Sequence, residues 1–303
     1  MASPERTAGA GKSLAPSLPS RLLSASYFGG ARALRFLPTR LSHAAASPGG
    51  TAWFWLSRAQ RRNALDNYAA AMGREPGDPA VHRVARQAFQ NYGRMLMEFL
   101  LIGDLTKEEV LQRATVEGRE HVDAALARGR GVIAALPHMG SWDTSGLYAA
   151  ALGYDVVAVA DRFPPGLNEA VVRTRQRIGV EVIFIGRSTV RTLTDALRAN
   201  RVVALVCDLE HGPGVEVDFF GRRAVVPSGP AALALKTGAA LLTVGQYSPA
   251  FGRHHIHVDP GLSLEGHTKE TLMQQVVHRF EGYIRERPNQ WYAFRPMFKV
   301  EQR

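Results

Sequence analysis

The sequence predicts an α/β fold, a mainly parallel sheet flanked by helices and preceded by an N-terminal helical segment. Two patterns carry this reading. From about residue 114 onward short apolar runs alternate with helix-period stretches, the signature of strand–helix–strand units. Residues 51–105 instead show 3.6-residue apolar periodicity with almost no β-branched runs. Size agrees: 303 residues, 46% hydrophobic and 21% charged, can bury a full core as one large domain with an appendage.

Residues 1–19 are rich in Ser, Pro and Ala and read as a disordered tail. Residues 20–42 set Leu22, Leu23, Tyr27, Phe28, Leu34, Phe36 and Leu37 among Arg21, Arg32, Arg35 and Arg40. This basic amphipathic pattern suits an anionic membrane surface, so the segment 20–50 is expected to contact lipid. Net charge is +10, and residues 1–40 hold six Lys/Arg against the single acid Glu5. Nucleic acid would attract the same charge, but no paired Cys/His or aromatic RNP string accompanies it, so no nucleic-acid partner is expected. An Arg-rich, acid-poor stretch is also what a mitochondrial transit peptide looks like.

The remainder, 51–303, divides into a helical platform over 51–113 and an α/β core over 114–303. Platform helices are expected at Ala59 to Met72, Pro79 to Asn91 and Tyr92 to Leu101. In the core, strands are expected at Val132 to Leu136, Val156 to Ala160, Val180 to Ile185, Val202 to Cys207, Val215 to Phe220, Ala240 to Val244 and His254 to Val258. Helices fall between them at 142–152, 166–178 and 190–200, with another after Pro227 and a last one over 268–286. No apolar run reaches the roughly 18 residues that span a bilayer, since Glu98 and Lys236 interrupt the longest ones. The lone cysteine, Cys207, excludes an internal disulfide and a Cys-based zinc site; it lies in an apolar run and reads as packing. Gly9-Ala10-Gly11-Lys12-Ser13 lacks the leading glycine and the preceding strand of a phosphate-binding loop.

Chemistry concentrates at Pro137-His138-Met139-Gly140-Ser141-Trp142-Asp143, between a buried strand and a helix. On one continuous helix, residues five apart point about 140° away from each other. His138 and Asp143 therefore meet only if His138 precedes the helix. With Ser141 as N-cap, Asp143 falls in the first turn, where the helix dipole favours an ionised carboxylate. That carboxylate would hold one imidazole nitrogen protonated and leave the other free to take a proton. The same spacing also occurs where a core histidine and an ordinary first-turn acid stand near each other.

Other polar residues end strands that open on the same crevice: Asp161 and Arg162 after one, Asp208 and Glu210 after another. Strand alternation sets Glu216 and Asp218 opposite Val215 and Val217. Ser228 and Gly229 open a helix whose free N–H groups suit an anion. Arg173, Arg175, Arg177 and Arg187 form a basic ridge suited to phosphate. A solvated hairpin, a capped helix and a solvated ridge are the plainer readings. A serine hydrolase would require a Gly-x-Ser-x-Gly elbow, and Ser228-Gly229-Pro230 is not one.

In order and spacing, these segments resemble the acyltransferase family of bacterial lipid A lauroyl/myristoyl acyltransferases and the phosphatidylinositol mannoside acyltransferase. The resemblance runs over about 50–298. It is carried by Arg61-Arg62-Asn63-Ala64-Leu65-Asp66-Asn67, His138-x4-Asp143, the Asp208 strand end, Glu216 to Gly221, Pro227 to Thr237, and Asn289-Gln290-Trp291-Tyr292. It implies a glycerolipid-acyltransferase-like fold with His138 as base, Asp143 as its partner and a site role for Glu216, with Asp208 and Glu210 as near alternatives. Asp161, Arg162, Arg175, Arg177, Asp208, Glu210, Ser228 and Gly229 are the expected substrate contacts. The donor implied is an acyl thioester on CoA or acyl carrier protein, and the acceptor a hydroxyl of a glycolipid or phospholipid, with no metal or resident cofactor. The absence of a spanning helix moves the resemblance toward the peripheral mannoside acyltransferase. The expected protein is a monomer working at the cytoplasmic face of a bacterial plasma membrane. Backbone N–H groups near Gly140 and Ser141 are its candidate oxyanion donors.

Overall fold

The computed structural model describes residues 39–102, 105–160, 165–212 and 214–299. The platform comprises α1 (Thr39–Leu56), α2 (Arg58–Met72) and α3 (Pro79–Ile102). α1 runs through Pro48, so the boundary expected between 50 and 51 falls inside a helix. α3 is one helix of 24 residues where the sequence suggested two. Gly93 does not break it, because a single helical glycine costs only about 1 kcal/mol, and here the missing side chain is what lets α1 approach. A Cβ on Gly93 would lie 2.9 Å from the Ala46 carbonyl oxygen, and one on Gly50 2.4 Å from that of Phe89.

The core follows as α4 (Lys107–Arg113), β1 (Ala114–Glu117), α5 (Arg119–Leu126), β2 (Val132–Leu136), α6 (Trp142–Ala151), β3 (Val156–Ala160), α7 (Pro165–Arg177), β4 (Val180–Phe184), α8 (Thr189–Arg198) and β5 (Val202–Val206). Then come the hairpin strands β6 (Gly214–Phe219) and β7 (Arg222–Pro227), α9 (Gly229–Thr237), β8 (Ala240–Ala250), β9 (Arg253–Val258) and α10 (Lys269–Glu286). The main sheet has seven strands in the order β1-β9-β8-β2-β5-β3-β4, and β6-β7 form a separate antiparallel pair. Every pairing in the main sheet is parallel except β8 with β9. The expected mainly parallel α/β architecture is therefore what the chain adopts.

Both faces of the sheet are covered, and side chains alternate between them. Ile133 and Ala135 of β2 join the cluster formed with α1–α3, the hairpin and α10. Val132 and Leu136 join the opposite cluster with Phe99, Ile102, Leu147 and Val171. After β2 the chain moves outward to β3 and β4, then returns to insert β5 between β2 and β3, and later lays β8 on the other side of β2. The carboxyl end of β2 is thus a topological switch point, where open α/β sheets form their crevice. The β6-β7 pair is the hairpin that was the plainer reading of this stretch, whereas β1 was not anticipated; it has four residues and lies at the sheet edge, too short to show a period.

Glu98, expected only as an interruption of an apolar run, is buried on α3 and accepts the Gly252 N–H at 2.6 Å. His254 of β9 faces it at 3.9 Å. Burial pushes the Glu98 carboxyl up to about 7 and the His254 imidazole down to about 4, so the two form a neutral pair rather than an ion pair. Glu98 contributes stability at low pH that is lost as pH rises to about 7, whereas His254 contributes stability that is lost as pH falls to about 4. Between them the two effects offset. We expect Glu98→Gln, which keeps the acceptor for Gly252, to remove the first effect alone. The stability of the variant relative to wild type, followed by denaturant unfolding, should then climb from pH 4.5 to 7. A difference that does not change with pH would show that Glu98 is ionised in the folded chain.

Candidate active site

Register brings two distant residues together. β2 and β5 pair in parallel with Leu136 opposite Val206. Two residues beyond each strand end lie His138 and Asp208, and their side chains meet, with His138 Nδ1 2.6 Å from Asp208 Oδ1. Between them, the Cys207 N–H donates to the Leu136 carbonyl at 2.9 Å, extending the ladder by one step. The Asp208 side chain is fully buried and the imidazole one-third exposed. With Nδ1–H donated to the carboxylate, Nε2 keeps its lone pair, so the arrangement can accept a proton from a group that enters the crevice. Burial raises the Cys207 thiol well above its usual range, which keeps it protonated and unreactive.

The far oxygen of Asp208 accepts the indole N–H of Trp291 at 2.7 Å. Trp291 belongs to the segment after α10, which runs antiparallel to the loop after β2. Met139 bridges Trp291, Tyr292 N–H donates to the His138 carbonyl at 2.7 Å, and Gly140 N–H to the Gln290 carbonyl at 2.9 Å. Gly140 has φ 59°, and a Cβ there would lie 2.6 Å from the Gln246 carbonyl oxygen, so both conformation and space require glycine. The platform fixes the segment from behind. Asn67 donates to the carbonyls of Ala293 and Arg295 at 2.9 and 2.8 Å, Asn63 to that of Phe294 at 3.2 Å, and Asn91 to that of Asn289 at 2.9 Å. The Tyr68 hydroxyl donates to the Trp291 carbonyl.

Several expected placements are corrected. Ser141 is the N-cap of α6 and Asp143 lies in its first turn, as the sequence indicated. Asp143 nevertheless does not face His138: both its oxygens take the guanidinium of Arg175, at 2.6 and 3.3 Å. Arg175 is not a surface phosphate ligand but is buried, with Phe99 beneath it at 5.7 Å. The helical period explains this, because two residues on is about 200° around the helix. Arg175 therefore points inward where Arg173 and Arg177 point out. Glu216 lies on the exposed edge of the hairpin and pairs with Lys299, which holds its carboxyl below the usual range. The hairpin reaches the site instead through its other face, where Phe219 and Phe220 stand 6.0 and 5.8 Å from Trp291. Glu210 is exposed beyond Asp208, and Ser228 and Gly229 occupy the N-cap and first residue of α9. Asp161 and Arg162 lie outside the described residues. The Gly140 N–H, expected as an oxyanion donor, is already taken by Gln290.

A family model described as bacterial lipid A biosynthesis acyltransferase matches residues 11–300. The phosphatidylinositol mannoside acyltransferase of Mycobacterium tuberculosis (strain ATCC 25618 / H37Rv) is 32% identical over 221 residues, covering 71% of this chain and 70% of the relative. That of Mycolicibacterium smegmatis is 30% identical over 237 residues, with 77% of each chain covered. The lipid A biosynthesis acyltransferase of Haemophilus influenzae is 22% identical over 193 residues, 61% of this chain and 59% of that one. Among solved structures, the 1-acyl-sn-glycerophosphate acyltransferase of Thermotoga maritima aligns over 82% of this chain and 97% of its own. Its identity is 13% and the TM-score 0.38, which adds nothing to the topology described above. With a match across nearly its whole length, the chain belongs to the bacterial lipid A biosynthesis acyltransferase family and is, by that membership, a lipid acyltransferase.

Proposed function

We propose that this acyltransferase moves a long fatty acyl group from a thioester donor, on CoA or acyl carrier protein, to a hydroxyl of a membrane lipid. A phosphatidylinositol mannoside-like acceptor is favoured. The observation that carries the reading is the His138–Asp208 pair, a one-third-exposed imidazole backed by a buried carboxylate at a switch-point crevice. The identities of about 30% to the mannoside acyltransferases favour that acceptor over lipid A. In the proposed step, His138 Nε2 takes the acceptor hydroxyl proton as the oxygen attacks the thioester carbonyl carbon. The C–S bond then breaks, and the leaving thiolate recovers the proton from the imidazolium. No covalent acyl-enzyme, metal or resident cofactor enters this route. We assign the anionic part of the donor to exposed Arg177 and to the first turn of α9 at Ser228 and Gly229.

The protein is proposed to work as a monomer, attached peripherally to the cytoplasmic face of the plasma membrane. Among the described residues no helix is long and apolar enough to cross a membrane. The basic element of 20–42 lies outside the described residues except for 39–42, the start of α1. The platform adds support for a lipid-facing surface. At the end of α1, Trp55 and Leu56 are 59% and 82% exposed, beside the exposed Arg58 and Arg62. Between Glu5 and Asp66 the chain carries no acidic residue.

We expect His138→Ala and Asp208→Asn each to lower turnover about 10²–10⁴-fold in a folded protein, the range of general-base catalysis. Asp143→Asn should instead destabilise the fold by about 1–3 kcal/mol, because it leaves Arg175 buried with a weakened partner. Its turnover per folded molecule should be nearly unchanged. Release of CoA from palmitoyl-CoA, with and without a phosphatidylinositol mannoside acceptor, together with thermal melting, separates these outcomes. Full activity in folded His138→Ala would end the general-base reading, and equal release without acceptor would point to a hydrolase. For the membrane, replacing both Trp55 and Leu56 by Ser removes about 3–6 kcal/mol of apolar burial if both insert fully. Co-sedimentation with phosphatidylglycerol vesicles should fall about tenfold or more, in a salt-dependent manner, while turnover on detergent-dispersed acceptor persists. Undiminished binding would move the contact to the preceding residues.

A further inference from the structure

We propose that Trp291 is a positioning residue of the reaction, its indole N–H holding Asp208 in the one orientation from which that carboxylate receives the His138 Nδ1–H. The inference rests on the acyltransfer reading above and extends it to a residue that touches no substrate. Asp208 is fully buried, and its two oxygens are divided, Oδ1 to His138 at 2.6 Å and Oδ2 to Trp291 at 2.7 Å. Among the described residues its ion-pair partner is His138 alone, so the second donor that offsets burial of this charge is an uncharged one. An indole N–H can donate but neither accept nor give up a proton at ordinary pH. It therefore fixes which oxygen faces the imidazole without competing for the proton in transit.

Trp291 is itself held without freedom. It is fully buried, its ring packs edge-on against Tyr68 at 5.8 Å and tilted against Phe219 at 6.0 Å, and its carbonyl accepts the Tyr68 hydroxyl. Its neighbour Tyr292 grips the His138 carbonyl at 2.7 Å. Two successive residues thus set the backbone of the base and the side chain of its partner. The distance between the two is fixed by a single rigid dipeptide. The plainer account is that a buried indole needs an acceptor and Asp208 supplies it, in which case Trp291 serves the fold alone.

Replacing Trp291 with β-(3-benzothienyl)alanine separates the two accounts, since it keeps shape and apolar area while exchanging N–H for sulfur. The full-length protein is assayed with palmitoyl-CoA and a phosphatidylinositol mannoside acceptor. In parallel, ¹⁵N-histidine NMR follows the hydrogen-bonded Nδ1–H of His138. We expect unchanged melting, kcat lowered about tenfold to a hundredfold, and a KM for palmitoyl-CoA within about twofold of wild type. The Nδ1–H resonance should move upfield as the hydrogen bond to a misoriented carboxylate weakens. In an Asp208→Asn background the replacement should add no further loss of kcat. An unaltered kcat and Nδ1–H resonance, or a loss that persists undiminished without the Asp208 carboxylate, would overturn the proposal. The NMR measurement decides even if wild type transfers no acyl group to any lipid, an outcome that would overturn the acyltransfer reading instead.

Discussion

The candidate site depends on one constraint, the parallel register of β2 on β5. His138 and Asp208 are 70 residues apart in the chain, yet each lies two steps beyond a paired strand end. A slip of one residue would turn the Asp208 side chain to the other face and present Cys207 or Leu209 to the imidazole, because strand side chains alternate with a period of two. The register is protected where it matters. Val203 and Leu205 point into one apolar cluster and Val202 into the other, so a slip would exchange the two faces and break packing on both sides of the sheet.

Two carboxylates near the switch point are treated differently by their surroundings, and the difference separates structure from chemistry. Asp143 meets a guanidinium that satisfies both of its oxygens and locks α6 to α7, so little of its charge is left to act elsewhere. Among the described residues Asp208 meets only neutral-capable donors, an imidazole and an indole. The platform supports this arrangement at long range. The asparagines of α2 and α3 carry no chemistry but hold carbonyls from Asn289 to Arg295, and with them the segment that presents Trp291.

Much of this was legible in the sequence. The bounds of β2 and β3 match the apolar runs that announced them, because buried parallel strands read as continuous hydrophobic stretches. His138 followed from its place after such a run. Asp208 was placed on the same crevice and stood as an alternative to Glu216, but its bond to His138 was not read, since the sequence offers Asp143 five residues away and does not give the strand order that sets β5 beside β2. Strand order is a tertiary fact. The burial of Arg175 was readable from the helical period, but clustering of arginines along the chain obscured it. Glu216 was misplaced for a different reason: alternation correctly put it opposite Val215 and Val217, yet only the packing of Phe219 and Phe220 on Trp291 tells which hairpin face looks toward the site. The terminal Gln290-Trp291-Tyr292 stood out as a motif without revealing what the indole bonds.

That motif has a consequence for the order in which the protein is made. The imidazole arrives with residue 138 and the carboxylate it bonds with residue 208, but the segment that closes over both is synthesised last among the parts of the site, after α10. Domains fold as their residues emerge, and the sheet can begin to pair before the chain is finished. A nascent chain on the ribosome can therefore hold a paired β2 and β5 and yet lack the groups that align them. Vectorial synthesis itself thus delays completion of the site until the residues that follow α10 have been made.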